Sequence, residues 1–241
     1  MITAGRLVRG VTFPVAMAGD DPQERSDKRQ CASAARQKIN DRRAAEKFKY
    51  LLAANFGASD YVITLTYTDD ALPATPEIAK KKNLYKFIRQ LRKIYQSVGT
   101  ELRYLHVTEG LHGDHRIHHH IIVPGIADLQ ETVRSLWEPN GTNIGFDRLD
   151  LKSYGAWGHY LTKEPREKGR RYVGDHMWSA SRSIRQPVIE KGELKDHMAL
   201  TAPPGAVILQ NETVQNEHGE YHYIEYLLPE PRFKIKHPYI Y

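Results

Sequence analysis

Arg116-Ile117-His118-His119-His120-Ile121-Ile122-Val123 is the stretch on which the reading of this chain turns. Its β-branched residues and the Pro124-Gly125 pair that stops it predict a strand. Alternation along a strand puts His118, His120 and Ile122 on one face, and Ile117, His119, Ile121 and Val123 on the other. His118 and His120 then project side by side, roughly 7 Å apart at the backbone for a rise of about 3.3 Å per residue. Two imidazoles so placed can reach one divalent metal. The apolar continuation marks a core strand, where adjacent imidazoles are costly without partners.

Working outward, Leu102 to Glu109 reads as a neighbouring strand and Gly110 to Arg116 as the connecting loop. If that loop closes a hairpin, Glu109 pairs near His118 and Val107 lies opposite His120. Glu109 then joins the two histidines as a third metal ligand, whereas a slip of one residue would turn it away. His106 falls on the face opposite Glu109, and His112 and His115 sit in the loop, so structural or solvent roles are expected for these three.

Downstream, Ser153 to Glu164 reads as a helix ending before Pro165. Tyr160 and Lys163 are three apart and share a helix face. A phenol ionises only near pH 10. It can still attack a phosphodiester that is held in line with a metal polarising the phosphoryl oxygen, and an ammonium group nearby stabilises the charge that develops. The chain has 14 tyrosines, so this spacing gains weight only by following the histidine strand. Tyr154 is the rival nucleophile; six residues earlier, it lies about 120° round the helix.

The rest supplies a scaffold. Leu7 to Val15 is β-like. Lys28 to Asn55 is expected to be a basic helix, with Ile39, Ala45, Phe48, Leu51 and Leu52 as its apolar stripe. Tyr61 to Tyr67 is a strand. Pro76 opens a helix to about Val98 with Leu84, Phe87, Ile88, Leu91 and Ile94 inward. Ala127 to Trp137 is a short helix, and Thr142 to Leu149 a brief strand. Arg166 to Arg185 reads as a basic extended loop. Ala206 to Gln215 and Tyr221 to Leu228 form an added hairpin.

The 241 residues carry a formal charge of +6 and one cysteine. A basic balance admits a polyanionic partner, and a lone Cys31 excludes an internal disulfide and a CxxC zinc site. No apolar run is long enough to span a membrane, and the run Val11 to Ala18 is short and broken by Pro14. A cytoplasmic location is expected.

Three pieces in this order resemble the rolling-circle replication initiators of the HUH endonuclease superfamily, as found in phages and plasmids. Ile63-Thr-Leu-Thr-Tyr67 is similar to their first motif, His118-His-His120 to their metal motif, and Tyr160-Leu-Thr-Lys163 to their catalytic motif. The segment Trp178 to Pro187 is similar to a basic Ser-Arg stretch these proteins carry, so the resemblance covers residues 28–190. The middle of the metal motif is usually apolar and here is His119, which leaves open which two of the three histidines bind metal. Glu109 also stands farther upstream than usual. No G-x-x-x-x-G-K-[ST] is present, so no helicase domain of the kind some relatives carry is expected.

The resemblance implies an α+β fold: a central antiparallel sheet of about five strands flanked by helices, with an N-terminal basic helix and a C-terminal β-hairpin. The expected organisation is residues 1–57, 58–190 and 191–241. It implies Mg²⁺ or Mn²⁺ at His118, His120 and Glu109, and catalysis by Tyr160 and Lys163. It further implies nicking and rejoining of single-stranded or hairpin origin DNA through a 5′-phosphotyrosine, with the polymerase and helicase of a bacterial host as partners. Arg170, Arg171, Arg182, Arg185 and Trp178 are candidates for gripping the DNA. A plasmid-mobilisation relaxase or transposase-type nuclease is the near alternative, although a relaxase tyrosine usually lies near the N-terminus and none occurs here before Tyr50. A zinc hydrolase and a non-catalytic DNA-binding protein are the distant ones.

Overall fold

The computed structural model describes residues 1–14, 33–110, 116–150, 152, 154–163, 176–194, 200–217 and 219–230. The chain forms two compact units, Met1–Gly19 with Pro187–Tyr241, and Asp20–Gln186. Each has its own five-stranded antiparallel sheet, so the fold is α+β as expected.

In the larger unit the strands are β3 (Tyr61–Leu65), β4 (Leu105–Glu109), β5 (His118–Val123), β6 (Ile144–Arg148) and β7 (Ser179–Ala180), in the order β6-β3-β5-β4-β7. The short β7, within the stretch expected to be loop, pairs with the edge of β4. On one face, Ile63, Leu65, Ile121, Val123 and Ile144 pack against helices α2 (Tyr85–Ser97) and α3 (Leu129–Trp137). Phe87, Leu91 and Trp137 are essentially sealed there, and each such side chain stabilises the fold by about 1.5–3 kcal/mol. Helix α2 is entered through a turn, Pro76–Ile78, capped by the Thr75 hydroxyl, and a π-helical segment, Ala79–Leu84. The wider π turn puts Ala79 and Leu84, five apart, both into the core while Lys81 and Lys82 stay outside. Tyr95, rather than Ile94, is the buried residue of the last turn, and its hydroxyl donates to the Pro124 carbonyl.

The opposite face is covered differently. Helix α1 (Ser33–Asn55) packs along helix α4 (Tyr154–Leu161). Phe48, Leu51 and Leu52 are buried as the stripe predicts, but Ile39 is 48% exposed, because it lies more than two turns ahead of Phe48, beyond the buried part of the stripe. Residues 28–32 of the expected basic helix lie outside the described residues.

In the smaller unit β1 (Ile2–Ala4), β2 (Leu7–Thr12), β8 (Val188–Ile189), β9 (Val207–Asn216) and β10 (Gly219–Leu227) lie in the order β8-β1-β2-β10-β9. The expected hairpin is β9–β10, and β10 pairs along β2 from Leu7↔Leu227 to Thr12↔His222. Val8, Ile224 and Tyr226 form its core. Strands from the two ends of the chain thus share one sheet, whereas the linear division at 57 and 190 sets them apart. Pairing across more than 200 residues leaves no local trace for a sequence pattern to show.

Candidate metal and tyrosine site

Strand pairing builds the site. The register joins Glu109 to His118 and Val107 to His120, as the hairpin closing on Gly110 to Arg116 requires. On the other side of β5, Thr64 pairs with His120. Glu109, His118, His120 and Thr64 therefore share one face.

Hydrogen bonds fix the rings. The His118 Nδ1–H donates to the Arg116 carbonyl at 2.9 Å, since a carbonyl can only accept. Its Nε2 faces Glu109 Oε2 at 3.2 Å. His120 Nδ1 meets Thr64 Oγ1 at 3.0 Å, and its Nε2 lies 3.9 Å from Glu109 Oε1. That nitrogen is buried and without a hydrogen-bond partner among the described residues. Orphaned buried nitrogens are uncommon and call for a ligand.

The donor set fits a divalent cation. One atom from each of Glu109, His118 and His120 lies within 4.8 Å of the others, a grouping that could hold a metal ion. Adjacent ligands of an octahedral ion with bonds near 2.1 Å sit about 3 Å apart, close to the His118–Glu109 spacing. Ring nitrogens that bond away from the cation on their far side are the usual support for histidine ligands. Burial pushes the His120 pKa down to about 4, against the pull of Glu109, so the ring is neutral and able to ligate at pH 7. Burial pushes Glu109 up, but its hydrogen bond with His118 and the positive charge of His120, His118 and Lys163 outweigh this and hold it below its ordinary value.

His119 turns the other way. It is fully buried, with Tyr67 Oη on Nε2 at 2.8 Å, Thr108 Oγ1 on Nδ1 at 2.8 Å, and Trp137 against its ring. Both nitrogens are occupied, so His119 is the histidine the geometry removes from the metal group. His106 lies on that same buried side, stacked on Tyr104.

Helix α4 lays Tyr160 over the metal group. The Tyr160 ring is 5.9 Å from that of His120 and is 52% exposed. Tyr154 is buried and donates its hydroxyl to the Phe56 carbonyl. Lys163, exposed at the helix end, contributes to the field at Glu109. The helix comes close to α1 because Gly158 has no side chain; a Cβ there would lie 3.2 Å from Lys49 Cβ and 3.5 Å from its Cα.

Tyr160 borders a cleft of about 400 Å³ with Thr64, His120, Asp147, Ala156 and Trp157. Nothing in the sequence marks Asp147 or Trp157; the pairing Val62↔Asp147, with Thr64↔Gly145, brings the first to this face.

The residues expected to grip DNA scatter. Trp178 donates its indole N–H to the Ala44 carbonyl and packs on Phe48, a structural place rather than an open stacking platform. Arg185 is exposed, its backbone held by both ends of the Asn55 amide. Arg182 lines a separate cavity of about 550 Å³ with Arg92, Glu101 and Tyr104. Arg170 and Arg171 lie outside the described residues. Among the described residues, no helix is long and apolar enough to cross a membrane.

No curated protein and no solved structure matches the chain. Residues 60–169, which hold β3 through β6 and helix α4, match the family model of the replication-associated proteins of the ORF2 and gene-2-protein type.

Proposed function

We propose that this protein is an HUH-type endonuclease that nicks and rejoins single-stranded or hairpin origin DNA to start rolling-circle replication. The observation that carries it is the Tyr160 ring, exposed and 5.9 Å from His120, on the face where His118, His120 and Glu109 converge. The family match over the same residues supports a role on DNA.

A bound Mg²⁺ or Mn²⁺ would supply Lewis-acid polarisation of the scissile phosphate. Glu109, His118 and His120 hold it. Tyr160 Oη attacks phosphorus, forming the tyrosyl O–P bond while the bond to the 3′-oxygen breaks. The phenol proton passes to solvent, and the leaving 3′-oxygen takes a proton from solvent. Lys163 stabilises the charge that builds on phenolate and phosphate. The tyrosyl ester keeps the phosphodiester energy, so a later 3′-OH can reverse the step and free Tyr160 without ATP. The 3′-OH left by the nick would prime a host polymerase, with a host helicase opening the duplex ahead.

The test is incubation with labelled single-stranded DNA and Mn²⁺, read as a covalent adduct on a denaturing gel. Wild type gives an adduct mapping to Tyr160 that EDTA prevents. Tyr160→Phe binds DNA with unchanged affinity and forms none. Cleavage that persists in Tyr160→Phe would mean attack by an activated water and overturn the reading.

A further inference from the structure

The cleft beside Tyr160 has a side that the nicking chemistry does not use. Asp147 stands exposed on β6, on the same face as Thr64 and His120. It is not in the group whose donor atoms converge on the candidate metal position. No ion pair or hydrogen bond ties it to another described residue. Across the cleft, Trp157 is half-buried, with its ring 6.1 Å from that of Tyr160 and nearly perpendicular to it.

We infer that Asp147 and Trp157 form a base-reading subsite, which seats the nucleobase next to the phosphate attacked by Tyr160 and selects one carrying an exocyclic amino group. The inference rests on the nicking reading for its substrate. A carboxylate facing the DNA backbone would repel phosphate, so its favourable use is toward a base edge. An ionised carboxylate only accepts hydrogen bonds. Cytosine N4, adenine N6 and the N1–H and N2–H pair of guanine all donate. Thymine instead presents carbonyl oxygens on both sides of N3–H, and these meet the carboxylate with like charge. The Trp157 ring supplies the sequence-tolerant part, since every base has a face to stack. The cleft thus combines one indifferent contact with one selective contact.

The adduct assay with Mn²⁺ tests this, using oligonucleotides randomised at three positions on each side of the nick and sequencing what is cleaved. Wild type should disfavour thymine about tenfold at a single flanking position, in the range expected for one base-edge contact. Asp147→Asn, whose amide can donate as well as accept, should erase that preference while still forming the Tyr160 adduct. Trp157→Ala should lower cleavage about tenfold for every base, and Trp157→Phe should restore most of it. An unchanged base profile in Asp147→Asn overturns the subsite while leaving the nicking mechanism standing. If wild type forms no adduct, the nicking reading fails on its own, and the subsite is read by binding. Fluorescence anisotropy with labelled oligo(dA), oligo(dC) and oligo(dT) in EDTA should then show oligo(dT) weakest for wild type and equal to the others for Asp147→Asn. Identical affinities in both proteins would overturn it there too.

Discussion

The two faces of strand β5 take the same residue type to opposite ends. His119 and His120 are adjacent, both buried, and both held neutral by burial. His119 engages both ring nitrogens, with Tyr67 and Thr108. His120 engages one with Thr64 and leaves Nε2 aimed at the Glu109 side without a hydrogen-bond partner among the described residues. The first is a core group whose polarity is fully satisfied; the second keeps a donor atom open for a ligand. Burial does not distinguish a ligand from a structural histidine. The number of ring nitrogens already bonded does.

The strongest way to break the comparison is to truncate each ring. His119→Ala leaves the Tyr67 and Thr108 hydroxyls facing a cavity and should cost about 3–5 kcal/mol in urea unfolding. His120→Ala removes an unsatisfied nitrogen together with its ring, so it should cost clearly less while abolishing the stabilisation by Mn²⁺ that wild type shows. Equal losses of stability, or Mn²⁺ stabilisation surviving in His120→Ala, would erase the distinction.

Acid titration sharpens it. Burial lowers His106 and His120 to about 4, and His119 further still. Their unfolded values lie near 6.5. Between these limits the unfolded chain binds more protons, so stability present above pH 6.5 is lost as pH falls toward 4. Urea midpoints in EDTA should therefore fall steeply across that window, and replacing His106 with Gln should flatten the slope by about one proton. A flat midpoint from pH 6.5 to 4.5 would contradict neutral buried imidazoles.

The smallest effect belongs to the two tyrosines of α4. Tyr154→Phe loses one buried hydrogen bond to Phe56 and should cost about 1 kcal/mol with adduct formation intact. Loss of the adduct in that variant would return Tyr154 to candidacy.

Much of this arrangement was legible in the sequence because it rests on short-range rules. Alternation assigned His118 and His120 to one face, and the loop from Gly110 to Arg116 permitted the register that brings Glu109 to them. The order of the three motifs placed Tyr160 in contention. What stayed hidden depends on contacts between distant segments. The partners that remove His119 from the metal group come from β4 and from Tyr67, just past β3, and Asp147 reaches the cleft only through the pairing of β6 with β3. The π segment arises from a core that needs Ala79 and Leu84 on one side, which a period of 3.6 does not reveal. Trp178 looked like a stacking residue because composition alone cannot show the Ala44 carbonyl that its indole meets.

Gly158 ties the position of the reacting phenol to a missing carbon on the rear of its helix. The separation of two backbones there, and no contact made at the cleft itself, governs how far the Tyr160 hydroxyl extends toward a bound strand. A methyl group at that point would meet unyielding main chain of Lys49 and lever the helix outward by a few tenths of an ångström. In-line displacement is sensitive to misplacement on the scale of an ångström, so this contact works as a spacer that calibrates the nucleophile from behind.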